Sequence, residues 1–138
     1  MAISLNPYIG FRDNAREAME FYQSVFGGDL SLNTFGDLQA SEDPAEANKI
    51  MHAMLTTHSG LILMGADTPS SMPYNPGDNY SISLSGPFED DHDLTTYYEK
   101  LSEGATILQP LATAPWGDKF GMLTDKFGVT WLVNIAAR

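Results

Sequence analysis

Hydrophobic positions along the chain change period in a way that recurs. Residues 3–11 alternate as a strand, with Pro7 near an edge or in a bulge. Ala15, Ala18, Met19, Tyr22, Val25 and Phe26 then fall at helical spacing and predict an amphipathic helix. Asn14, with Glu17 three residues on, predicts a capping box at its start. Gly27-Gly28 predicts its end, because Gly tolerates the left-handed backbone common after helices. Leu30, Leu32 and Phe35 continue as a strand. The polar stretch 36–48, with Pro44, predicts a loop carrying one short helical turn at 44–48. A hairpin follows, with strands at 50–57 and 61–66 around His58-Ser59-Gly60.

The second half repeats the order. Tyr80, Ile82 and Leu84 alternate with Ser81, Ser83 and Ser85. The acidic run Glu89-Asp90-Asp91 and Asp93 opens a helix, where negative charge suits the N-terminal end of the dipole, and Leu94, Tyr97, Tyr98 and Leu101 form its apolar face. A strand at 105–109 and a Pro-containing connection lead to a C-terminal hairpin around Asp125-Lys126-Phe127-Gly128. His52 to Leu61 lines up without a gap on Phe120 to Val129, keeping Met-Leu-Thr and the Gly beyond it. Phe21-Tyr22 lines up likewise on Tyr97-Tyr98, and the longer first-half loop at 36–48 absorbs the difference in offset. An internal duplication explains both matches. The expected fold is α+β: a single domain of two βαβββ modules, 1–66 and 80–138, joined by a Pro-rich linker at 67–79.

Composition narrows the function. At 138 residues, with 43% hydrophobic and 18% charged residues, the chain reads as an ordinary globular domain. A net charge of −11 with only 7 Lys and Arg argues against nucleic acid as a partner. No apolar run approaches a membrane span and no signal-peptide pattern opens the chain, so a cytoplasmic location without membrane partners is expected. Cysteine is absent, which removes disulfides, thiol nucleophiles and thiolate metal sites.

Two βαβββ modules resemble the vicinal oxygen chelate superfamily, which includes glyoxalase I, extradiol dioxygenases and the bleomycin and fosfomycin resistance proteins. Pro7-Tyr8-Ile9-Gly10-Phe11, Phe21-Tyr22, Phe26-Gly27-Gly28 and Asp125-Lys126-Phe127-Gly128-Val129-Thr130-Trp131 look most like its PhnB-like branch. The resemblance implies a half-open barrel per module and a homodimer with paired or swapped modules enclosing a ligand cavity. It also implies metal-ligand positions on the first and last strands of modules, and these fall near Asn6 or Pro7, Met54, Ser81 and Leu132. None is His or Glu. A slip of two residues would bring in His52 or Asn134, but no complete ligand set results, and neither metal nor cofactor is expected. Some PhnB-like sequences carry a ubiquinone-methyltransferase label; this chain has no Gly-rich strand-turn-helix for adenosylmethionine.

By the same resemblance, Tyr8, His52, Met54, Ser81, Ser83, Trp116, Phe120, Met122 and Trp131 are the candidate pocket residues, a mostly apolar lining with a few polar handles. Packing alone also explains several of them, Trp131, Phe120 and Met122 above all. His52 on a strand reads equally as a sheet histidine bonded within the fold, and His58 and His92 as solvated. No nucleophile-elbow motif is present, and Asp125 reads as a turn residue. Three functions remain open: a module that binds or sequesters a small organic molecule, a metal-dependent lyase, isomerase or dioxygenase using His52, and a dimeric interaction scaffold. The first is the main expectation.

Overall fold

A computed structural model describes residues 3–38 and 44–138. The chain divides into two compact units, Met1–Gly77 and Asp78–Arg138. In the first, strands β1 (Tyr8–Phe11), β2 (Asp29–Thr34), β3 (Ile50–Thr56) and β4 (Ile62–Asp67) form a sheet in the order β1-β4-β3-β2, and helix α1 (Ala15–Phe26) packs on one face. In the second, β5 (Ile82–Gly86), β6 (Thr106–Thr113), β7 (Lys119–Thr124) and β8 (Thr130–Ile135) form a sheet in the order β5-β8-β7-β6, with α2 (Asp91–Leu101) against β5 and β8. The outer strands β1 and β5 pair in parallel with β4 and β8, and the remaining pairs are antiparallel. The βαβββ order thus occurs twice, as the periodicity predicts. The middle of the expected loop, 39–43, lies outside the described residues.

Strand alternation separates each sheet into a helix-covered face and an open face. Ala53, Leu55, Leu63 and Gly65 are buried against α1, whose Ala15, Ala18, Met19, Tyr22 and Val25 face them. In the second unit Leu123, Trp131, Val133 and Ile135 are buried on the helix side with Leu94, Tyr98 and Leu101. His52, Met54 and Met64, and likewise Phe120, Met122, Leu132 and Asn134, lie between these on the open faces.

Two close approaches fix the packing. Gly28 has φ +95, and a Cβ there would stand 2.3 Å from the Thr56 carbonyl oxygen, so only Gly can turn the chain from α1 into β2. At Gly121 a Cβ would meet the Tyr98 ring at 2.7 Å, and its absence lets that ring lie on the sheet and donate its hydroxyl to the Gln109 carbonyl at 2.9 Å.

Three sequence expectations are corrected. The first strand begins at Tyr8, and Ile3 and Leu5 are fully exposed. Pro7 accepts the Met64 N–H at 3.0 Å but has no N–H to return, so the parallel ladder ends there. Asn14 makes no side-chain cap. Asp67, the last residue of β4, caps α1 instead: Oδ1 accepts the Ala15 N–H and Oδ2 the Ile50 N–H, both at 2.9 Å. The last correction concerns β6, which runs through Pro110 to Thr113 and does not stop at Gln109. It is an edge strand whose register shifts on both sides of Gln109, and a bulged edge accommodates a residue without an N–H.

Candidate functional site

The open face of the second unit carries a hollow of about 390 Å³ lined by Leu108, Gln109, Thr113, Trp116, Phe120 and Met122. That volume is in the range of small-molecule sites. Gln109 pairs with Met122 and Ala112 with Phe120 across the β6–β7 ladder, so the β6 bulges set the hollow's outline. Trp116 stands on the β6–β7 turn, 64% exposed, with its ring 5.9 Å from that of Phe120 at an interplanar angle of 59°. Tilted pairs at this separation are favourable.

The turn is held by Asp118. Its backbone carbonyl accepts the Ala114 N–H at 2.7 Å, and its carboxylate accepts the Ala137 N–H at 2.9 Å and the Asn134 amide at 3.2 Å. The bond from the Ala137 N–H, and after it that from the Asn134 amide, holds the Asp118 carboxyl below its ordinary range.

The open face of the first unit is organised around Tyr8 and His52. The Tyr8 hydroxyl and His52 Nδ1 lie 3.2 Å apart, with the ring centroids 5.7 Å apart. Burial raises the Tyr8 phenol above its ordinary value. Met54 and Met64, directly paired across β3 and β4, make an apolar floor beside them.

The candidate residues therefore separate into two groups and one exception. Tyr8, His52 and Met54 share the first open face, and Ser83, Phe120 and Met122 the second, with Trp116 on the turn beside Phe120. Ser81 precedes β5 and is exposed. Trp131 is the exception and is corrected here. It pairs with Ile82 and Leu123 on the helix-covered face, is 2% exposed, and donates its indole N–H to Asp125 at 2.9 Å. It is a core residue. Leu108 and Gln109 join the set although they lie in the strand expected at 105–109, because the register shifts on both sides of Gln109 break the alternation that would have assigned their face.

A second hollow, about 400 Å³, lies at the start of α1 beside Asp13, Glu17, Glu20 and Lys49. Lys49 is already paired with Asp13 at 2.7 Å and with Glu46 at 2.5 Å, so this region reads as a structural ion network.

The family model of the Glyoxalase/Bleomycin resistance protein/Dioxygenase superfamily matches residues 4–133. The chain belongs to this superfamily. The superfamily fold is matched by the crystal structure of protein PA1353 from Pseudomonas aeruginosa, with TM-score 0.84 and 36% identity over 99% of this chain and 100% of that one. The PhnB protein from Bacillus cereus, whose name includes 3-demethylubiquinone-9 3-methyltransferase, superposes with TM-score 0.69 at 26% identity, covering 97% of this chain and 100% of its own. Protein YjdN from Escherichia coli K12 is 25% identical over 95% of this chain and 94% of its own length.

Metal-dependent members of the superfamily need several imidazole or carboxylate donors around one ion. The residues here do not fit that requirement. Among the described residues no three His, Cys, Asp or Glu side chains converge. On the first open face His52 commits Nδ1 to Tyr8, and its row on β2 and β3 otherwise offers Asn33. On the second, the strand positions next to Met122 and Phe120 are Leu132 and Asn134. Neutral amides and thioethers are weak substitutes for such donors. Among the described residues no helix is long and apolar enough to cross a membrane.

Proposed function

We propose that this member of the superfamily binds a small, largely apolar organic molecule at its open sheet faces, with the hollow beside Trp116 as the central site. One observation carries the reading: an exposed indole is held in tilted contact with Phe120 over a hollow whose polar lining includes Gln109. An apolar enclosure with few polar groups suits a ligand recognised by shape and ring stacking. Metal-dependent turnover is not favoured by any donor set on either face.

A homodimer in the cytoplasm belongs to the same reading. Met54, Met64, Phe120 and Met122 stay half-exposed within their own units, and apolar area of this kind is commonly covered by a second chain or a ligand.

Tryptophan fluorescence tests the proposal, because Trp116 is exposed and Trp131 is buried. A panel of neutral fused-ring aromatics, naphthalene first, is expected to quench the long-wavelength component saturably, and Trp116→Phe to abolish that response without lowering the melting temperature. No saturable change with any member of the panel would overturn the reading. Light scattering of the purified chain tests the dimer.

A further inference from the structure

The turn that presents Trp116 is tied to a segment that does not itself line the hollow. Lys119 and Ile135 form the end pair of the β7–β8 ladder, and the same register carried onward would set Asp118 against Ala136 and Gly117 against Ala137. The backbone does not continue that ladder. Gly117, with φ +103, swings the chain out of the strand, and a Cβ built on it would stand 3.8 Å from the Ala137 Cβ. The Asp118 carboxylate takes the Ala137 N–H instead, at 2.9 Å. Its other oxygen accepts the Asn134 amide at 3.2 Å, and Asn134 is the ladder partner of Phe120, the ring beside which Trp116 stands.

Residues 136–138 are fixed from the other side as well. The Ala136 N–H donates to the Gly86 carbonyl at 2.9 Å and prolongs the parallel β5–β8 pairing. The Arg138 guanidinium carbon lies 5.2 Å from the centre of the Phe88 ring, a cation–π contact. Gly86 and Phe88 belong to the passage from β5 into α2. Lys119, next to Asp118, reaches the start of α2 directly, with Nζ 2.7 Å from Asp91. None of residues 136–138 lines the hollow.

We propose that residues 136–138 brace the hollow, and that Asp118 is its positioning residue, acting through the Ala137 N–H to hold Trp116 in place for a ligand. For a ligand this rests on the reading of the hollow as a binding site; for the motion of Trp116 it does not. The physical reason is the cost of ordering. Trp116 is 64% exposed, so its indole is placed mainly by the backbone that carries it. The bonds within the turn, from the Ala114 N–H to the Asp118 carbonyl and from the Gly117 N–H to the Ala114 carbonyl, leave it free to rock as a unit. Binding would then have to freeze that motion, and the cost comes off the affinity. A carboxylate accepting a backbone N–H makes a strong hydrogen bond and removes the motion before a ligand arrives.

The test compares the full chain with Asp118→Ala, Ala137→Pro, the double variant and Asp118→Asn. Ala137→Pro deletes the donated N–H and alters no residue that lines the hollow. Nuclear relaxation of the tryptophan indole N–H groups reads the motion without any ligand, and naphthalene titration followed by fluorescence reads the affinity. Trp116 should become more mobile in both single variants, while Trp131, buried and bonded to Asp125, keeps its order. Naphthalene affinity should fall about tenfold in each, the scale of one charge-assisted hydrogen bond. The double variant should match Asp118→Ala, since Ala137→Pro removes a bond that it already lacks. Asp118→Asn should recover most of both properties, because its amide oxygen still accepts the Ala137 N–H and the Asn134 amide can turn to accept from its nitrogen.

A Trp116 indole as rigid in both single variants as in the parent would overturn the proposal, as would additive losses in the double variant. So would an Asp118→Asn chain as mobile as Asp118→Ala, or naphthalene bound equally well by the loosened variants and the parent. Failure of the whole aromatic panel to bind the parent would instead sink the binding reading, and the relaxation comparison would still decide whether Asp118 positions Trp116.

Discussion

The indole N–H of Trp131 donates to Asp125 Oδ2 at 2.9 Å, while Oδ1 of the same carboxylate accepts the backbone N–H groups of Phe127 and Val129 at 2.8 and 3.0 Å. One buried side chain thus closes the β7–β8 turn and fastens the largest core residue of the second unit to it. Asp125→Ala strands the buried indole donor and two turn amides, and should destabilise the chain by about 3 kcal/mol. Trp131→Phe removes the donor along with its ring N–H and costs less through that bond. Urea unfolding followed by circular dichroism measures both.

The two tryptophans should be spectrally separate. Trp116→Phe should leave only blue-shifted emission from Trp131, poorly accessible to acrylamide, since Trp131 is 2% exposed and Trp116 64%. Emission of that variant that stays red and quenchable would show the core assignment of Trp131 to be wrong.

Capping of α1 should follow the structure and not the local sequence. Asn14→Ala should change stability by less than about 0.5 kcal/mol, because its side chain makes no cap, whereas loss of a working cap typically costs about 1 kcal/mol. Asp67→Ala should cost about 2 kcal/mol or more, since two buried backbone donors lose their acceptor. Thermal or urea denaturation of the two variants side by side checks the contrast.

Acid should loosen the first unit through Glu46. Its side-chain bond from Lys49, followed by the hydroxyl and backbone bonds from Ser70, holds the carboxyl down to about 2 from an ordinary 4.5. A folded value below the unfolded one means that this stabilisation is complete above pH 4.5 and is lost as the pH falls from there to about 2. Glu46→Gln should therefore be less stable at neutral pH and lose less on acidification through that window. Melting temperature against pH, compared with the parent, gives the answer. Asp91, lowered mainly by Lys119, and Asp118 contribute in the same direction, so the variant's profile should flatten without becoming level.

Metal should be thermally silent. Chelation followed by Zn, Ni, Mn or Fe(II) is expected to leave the melting temperature unchanged, because no three strong donors converge among the described residues. A stoichiometric ion that His52→Ala removes would restore the metal-dependent reading.

Periodicity carried the architecture. The Met-Leu-Thr match between His52–Leu61 and Phe120–Val129 is the β3–β4 turn laid over the β7–β8 turn, and it placed both hairpins correctly. What it could not carry were contacts between residues far apart in sequence. Asn14 has the spacing of a cap, but Asp67 arrives from β4 with a charge and takes the Ala15 N–H. Pro110 argues for a break, yet an edge strand needs no N–H there. The pocket was legible in part. His52 and Met54 were placed on one face by alternation alone, whereas Tyr8 joins them by reaching over β4, and Trp131 leaves the set because its register partner is Leu123.

Alternation on the paired hairpins has a consequence for how this protein can change. On β3, from His52 onward, and on β4, β7 and β8, every even-numbered residue faces away from the helix and every odd-numbered one toward it. The core and the open surface therefore occupy separate letters of the same strands. A library randomising only the even positions of one hairpin would vary the open surface while leaving the core alphabet intact, and the other unit would keep its present surface. The fold is in this sense built for divergence one half at a time.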